Sequence, residues 1–157
     1  MRHLPIAALF LALAMTSQAG AEESLSEDMV QTAQPLLKAL SLIGTPYKFG
    51  GRDPQKGLDC SGLVKHVYKE SAGVELPSSA REMSKQGEQV ARETLRPGDL
   101  VFFNTRKKPH SHVGIYKGEG EFVHASSNRH KQVTVSRMDD KYWSRHFDGA
   151  RRLFKGE

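Results

Sequence analysis

The hydrophobic period changes once along this chain, and that change confines the folds open to it. Before Arg96-Pro97-Gly98-Asp99 the apolar residues recur at helical spacing; beyond it they form short runs separated by turn residues. From about Asp28 to Leu42, the positions Val30, Ala33, Leu36, Leu37 and Leu40 predict a helix that Pro35 kinks or restarts and that Gly44-Thr45-Pro46-Tyr47 ends. Lys48 to Gly57 is loop-like, rich in glycine and proline. A second helix is predicted over about Cys60 to Ser71, with Leu63, Val64, Val67 and Tyr68 on one face and Asp59 as its cap. Ser78-Ser79 caps a short third near Ala80 to Gln86. Leu100 to Phe103, His112 to Tyr116, Glu121 to Ala125, Gln132 to Val135 and Ala150 to Phe154 read as strands. Helices first and strands afterwards predict an α+β fold. Its N-terminal helices, including the cysteine helix, pack on an antiparallel sheet of about five strands.

Met1–Ala21 has a basic start (Arg2, His3), an apolar stretch from Leu4 to Met15 and small residues at Ala19 and Ala21. This pattern predicts a signal peptide, 1–21, cleaved after Ala19 or Ala21. The apolar stretch is too short to span a bilayer, and no later one is long enough, so stable membrane insertion is not expected. No cysteine stands near the cleavage region for lipid attachment. The expected product is exported, periplasmic or secreted, with 22–35 a polar segment and the start of the first helix, and 36–157 one domain. Cleavage after Ala21 removes one basic residue, Arg2, from 23, against 18 acidic ones, and leaves a formal charge of +4. Both signs are interspersed, and the basic clusters Arg106–Lys108 and Arg151–Arg152 are short. This argues against nucleic acid and fits an anionic cell-wall polymer.

Cys60 is the only cysteine, in the run Gly57-Leu58-Asp59-Cys60-Ser61-Gly62-Leu63-Val64. Without an intramolecular partner it is inert, dimerising or reactive. Its place in the first turn of a helix favours reactivity, because backbone N–H groups and the helix dipole stabilise a thiolate. The Asp59 carboxylate opposes ionisation, so a cationic partner is also expected.

A cysteine nucleophile needs a base, and the base an orienting group. Among the seven histidines, His112 and His124 stand apart because each lies within a predicted core-facing strand. A three-residue hairpin loop of Lys117 to Glu119 makes them face directly; Gly118 to Gly120 makes them diagonal neighbours; either leaves them on one face, about 5 to 8 Å apart at Cβ. A two-residue loop would put them on opposite faces. Cys60, His112 and His124 form a candidate triad. A two-histidine metal site completed by His110 is the competing reading.

Asp59-Cys60-Ser61-Gly62-Leu63-Val64, Arg96 to Phe103, His112-Val113-Gly114-Ile115-Tyr116 and Phe122-Val123-His124-Ala125-Ser126 resemble, in order, the signatures of the NlpC family of cell-wall cysteine peptidases. The resemblance runs from about Leu36 to Leu153. It extends to Gly44-Thr45-Pro46-Tyr47, Tyr142-Trp143 and Ala150-Arg151-Arg152, and within the family it points to the small periplasmic murein DD-endopeptidases. It implies a papain-like fold and hydrolysis of peptidoglycan stem-peptide amides, without cofactor or metal. Cys60 would be the nucleophile, His112 the base and His124 its orienter, with a thiolate–imidazolium pair attacking. Tyr47 would place its hydroxyl beside the cysteine, and Asp59 and Ser61 would contact substrate. The bond expected to be cut is the D-alanyl to meso-diaminopimelate cross-link. The alternatives are the γ-D-glutamyl to diaminopimelate bond, or a catalytically silent wall-binding module. Ser78 departs from the pattern: after Leu76-Pro77 the family often has arginine.

Overall fold

The computed structural model of the protein describes residues 16–154, so the first 15 residues of the expected signal segment lie outside the described residues. Helix α1, Thr16–Ser41, starts earlier than expected and includes the polar stretch Glu22–Glu27, where glutamate and leucine are good helix formers. It runs through Pro35 without restarting. Pro35 is buried, on the same face as Leu36, Ala39 and Leu40. Val30 and Leu37, expected to face the core, are 55% and 65% exposed. The packed face is therefore rotated from the predicted one, and packing keeps a proline that isolated helix propensity would reject.

The loop after α1 contains an unforeseen hairpin of β1, Arg52–Asp53, and β2, Gly57–Leu58. Helix α2, Cys60–Ala72, ends as its residue types require: Gly73 takes a left-handed conformation (φ 65°) and its N–H donates to Lys69 O. Helix α3, Ala80–Met83, is capped by Ser79 as expected but is a single turn. Then follow β3, Glu88–Gln89, and β4, Leu100–Phe103. After them come β5, His112–Gly118, β6, Glu121–Ala125, and β7, Val133–Arg137. Helix α4, Lys141–His146, and β8, Phe147–Arg152, close the chain. The sheet has six strands in the order β3-β8-β4-β5-β6-β7, each pairing antiparallel. The two-residue edge strand β3 and helix α4 were not expected.

Two clusters use the two faces of this sheet. Leu63, Val64, Val67 and Tyr68 of α2 are fully buried against Leu100, Phe102, Val113, Ile115 and Val123; each such side chain contributes about 2 kcal/mol of burial. On the other face Val101, Phe103, Phe122, Met138 and Ala150 pack with Trp143 and Phe147. The arrangement brings the start of α2 to the start of β5.

The β5–β6 hairpin decides where the histidines point. Its loop has two residues, Glu119 and Gly120, both at positive φ (54° and 74°), as a tight turn matched to strand twist requires. Such a loop alone would set residues 112 and 124 on opposite faces. The register shifts between Tyr116 and Gly118, where one extra residue bulges and restores the parity. Ile115 faces Val123, so Gly114 lies opposite His124 and the two histidines are diagonal neighbours.

Candidate active site

Cys60 opens α2, and Asp59 ahead of it holds the helix start from four directions. One carboxylate oxygen accepts from Gly62 N (2.7 Å), Ser61 Oγ (3.2 Å) and Arg52 Nη1 (2.5 Å); the other accepts from Gly50 N (3.1 Å). The loop can approach this closely because Gly62 has no Cβ, which would stand 2.0 Å from the carbonyl oxygen of Gly51. Ser61 is buried, and its hydroxyl reaches the Ser78 carbonyl at 3.0 Å. In the free protein the polar groups of Asp59 and Ser61, the residues expected to contact substrate, are engaged with the scaffold. Beside Ser78, at the position of the missing arginine, a guanidinium is nevertheless present. It comes from Arg52, whose Nη2 donates to Ser78 O at 2.9 Å.

The histidine side is built differently. His112 Nε2 lies 2.9 Å from His124 Nδ1, and His124 Nε2 lies 2.8 Å from Ser136 Oγ on β7. With Nε2 of His112 so engaged, Nδ1 is the nitrogen left to exchange a proton. Trp143 stacks on His112 (centroids 5.5 Å apart) and meets His124 edge-on at 4.9 Å, while Phe122 lies 4.8 Å from His124. This aromatic wall leaves His124 1% exposed.

Burial governs the charges. It pushes His112 down to about 4, with the Arg106 guanidinium adding to the effect and Asp59 opposing it. His124 is pushed well below the usual histidine range by burial, then by His112 and His130. Burial raises the Cys60 thiol; backbone hydrogen bonds from Val113 and Ser61 and the charge of Arg106 pull it back, against Asp59. Taken singly, thiol and imidazole both favour their neutral forms, so the expected thiolate–imidazolium pair has only mutual attraction and those N–H groups in its favour.

Tyr47 is half-buried and packs beside Cys60 on the core. Its hydroxyl is held above the usual range by burial, then by the nearby Cys60 and Asp59. The expected cation near the sulfur is Arg106, from the loop between β4 and β5. His110, the third ligand of the metal reading, instead contacts Asp148 at 2.9 Å. Among the described residues, no group of three or more His, Cys, Asp or Glu side chains is placed to hold a metal. The residues missed from sequence are Ser136, Arg52 and Arg106, of which only Arg106, within a basic run, carried a signal; Trp143 stood within the family resemblance but without a place at the site.

Residues 44–152 match the model of the NlpC/P60 family. The Gamma-DL-glutamyl hydrolase of Bacillus subtilis (strain 168) is 45% identical over 117 residues, 74% of this chain and 28% of that protein. The Murein DD-endopeptidase MepS/Murein LD-carboxypeptidase of Escherichia coli (strain K12) is 43% identical over 110 residues, 70% of this chain and 56% of its own length. The chain thus spans between about a quarter and just over half of these two relatives. An NlpC/P60 family protein from Bacillus cereus superposes with a TM-score of 0.72 at 28% identity, over 79% of this chain and 40% of that one. The family match begins at the loop carrying Tyr47 and takes in Cys60, both histidines of the hydrogen-bonded pair and the whole six-stranded sheet: this chain belongs to the NlpC/P60 family.

Proposed function

We propose that the chain is a cysteine peptidase of the cell wall that hydrolyses stem-peptide amides, with the D-alanyl to diaminopimelate cross-link as its bond. The observation that carries this reading is the hydrogen-bonded relay His112–His124–Ser136, with Cys60 at the start of a helix beside the backbone of Val113, the residue after His112. The Cys60 S–H proton passes to His112 Nδ1 as the sulfur attacks the amide carbonyl carbon. The oxyanion faces the backbone N–H groups at the start of α2. The imidazolium gives its proton to the departing amine nitrogen, the C–N bond breaks, and a thioester remains. Water attacks that thioester as His112 takes one of its protons; the C–S bond breaks, the acid product leaves, and the proton returns to sulfur. His124 receives the Nε2–H of His112 and so keeps Nδ1 unprotonated for this work.

The Bacillus subtilis relative is named for cutting a gamma-DL-glutamyl bond, which favours for this chain a second reading, cleavage on the γ-D-glutamyl side of the diaminopimelate within one stem. Digestion of defined cross-linked muropeptides with mass analysis separates the two. Release of two monomers at the cross-link supports the first; cuts confined to single stems support the second; no cleavage by folded protein leaves the wall-binding module. The same proposal places the chain outside the cytoplasm, with Met1–Ala21 removed on export. No described helix is long and apolar enough to cross a membrane. N-terminal sequencing of the exported protein should begin at Gly20 or Glu22; a start at Met1 would contradict it.

A further inference from the structure

The basic run Arg106–Lys108 has no part in the relay, yet its first residue reaches the site. The segment carrying it, between β4 and β5, is tied down on both sides. Asn104 N donates to His146 O (2.8 Å), Thr105 N donates to Ser111 Oγ (3.0 Å), and His110 N donates to Asp148 Oδ2 (2.7 Å). Arg106 crosses toward the opposite loop, where its Cζ stands 5.9 Å from the centre of the Phe49 ring. There it lies against the Tyr47 hydroxyl, whose ionised form it would hydrogen-bond. Phe49 is 77% exposed, an unusual place for a large aromatic ring unless it has a second task such as seating a cation.

The charges around the sulfur are unequal. The nearby carboxylate, Asp59, already accepts from Arg52, Gly50, Gly62 and Ser61. Arg106 forms no ion pair with a carboxylate among the described residues, and its field is felt at Tyr47, Cys60 and His112. An unneutralised guanidinium with a flat, forked donor set beside a nucleophile suits a carboxylate. We propose that Arg106, seated on Phe49 and Tyr47, binds a carboxylate of the substrate peptide next to the bond that Cys60 attacks. The inference rests on the cysteine-peptidase reading and adds to it a requirement for an acidic peptide.

The test uses the full chain and two alkylating probes that differ in one charge, iodoacetate and iodoacetamide, at one pH. Thiolate fraction cancels in the ratio of their rates at Cys60, so the ratio reports the local field on the incoming anion. Arg106→Gln should lower the iodoacetate-to-iodoacetamide ratio about threefold to tenfold, the Coulomb effect of one cation near a partly exposed site. Arg106→Lys should keep part of it, and Lys107→Gln, with the same loss of net charge, should leave it unchanged. With muropeptides, Arg106→Gln should lower kcat/KM about tenfold for free-acid substrates and little for carboxamide ones. A ratio unchanged in Arg106→Gln, or an equal fall in Lys107→Gln, overturns the inference and leaves the cysteine-peptidase reading intact. A native Cys60 inert to both probes at every pH overturns both.

Discussion

The two halves of the site hold their reactive groups by opposite means. On the nucleophile side, polar contacts dominate: Asp59 is fully engaged by main-chain and guanidinium donors, and Cys60 sits at a helix start among backbone N–H groups. On the base side, Phe103, Phe122 and Trp143 pack around a half-buried His112 and a buried His124, whose polar partners are each other and Ser136. The difference teaches that, on the proposed mechanism, proton transfer starts between two groups that both resist charge. A polar cradle supplies what stabilises a thiolate; burial keeps His112 unprotonated down to low pH, at the cost of basicity.

Breaking either half outright should have the largest effect. Cys60→Ser and His112→Ala should each lower muropeptide turnover by about 10⁴ or more, with thermal transitions near wild type, since each removes a partner in the proton transfer. Turnover by Cys60→Ser within about tenfold of wild type would sink the nucleophile assignment. His124→Ala comes next, at roughly 10² to 10⁴ in rate, because it orients the base but exchanges no proton with substrate. His124→Asn should recover part, as its amide can still hydrogen-bond His112. If Asn were as inactive as Cys60→Ser and Ala nearly normal, orientation by hydrogen bonding could not be the role of His124.

Wetting the dry half sharpens the comparison. Trp143→Ala should move the acid limb of the activity profile up from about 4 toward the ordinary histidine value of 6.5. A histidine held below its unfolded value destabilises the fold as pH falls, since the unfolded chain binds more protons. Native stability should therefore decline from about pH 6.5 toward 4, and Trp143→Ala should flatten that decline; an unshifted acid limb would show that the aromatic wall does not set the charge of His112. The smallest effect is expected for Ser136→Ala, about threefold to tenfold in rate, because the hydroxyl touches only the far nitrogen of the orienter.

What could be read from sequence follows the range of the physics involved. Cys60, His112 and His124 were legible because a cap residue, a helical stripe and strand parity are local. The parity argument still reached its answer by a different route: the loop has two residues, and a bulge at Lys117 supplies the third. The face of α1 was misjudged because Pro35 lowers helix propensity yet packs well on the sheet side. Trp143, Ser136 and Arg106 come from α4, β7 and a loop far apart in sequence. Only the assembled sheet brings them together, and neither spacing nor composition carries that distance.

The charge contrast between the halves can be read on one ring. In Cys60→Ser no thiolate can stabilise the imidazolium, so a ring-nitrogen NMR titration of His112 reports burial with the smaller effects of Arg106 and Asp59. The ring should stay neutral down to about pH 4. A midpoint at or above 6.5 in that variant would contradict a base held neutral by its aromatic wall.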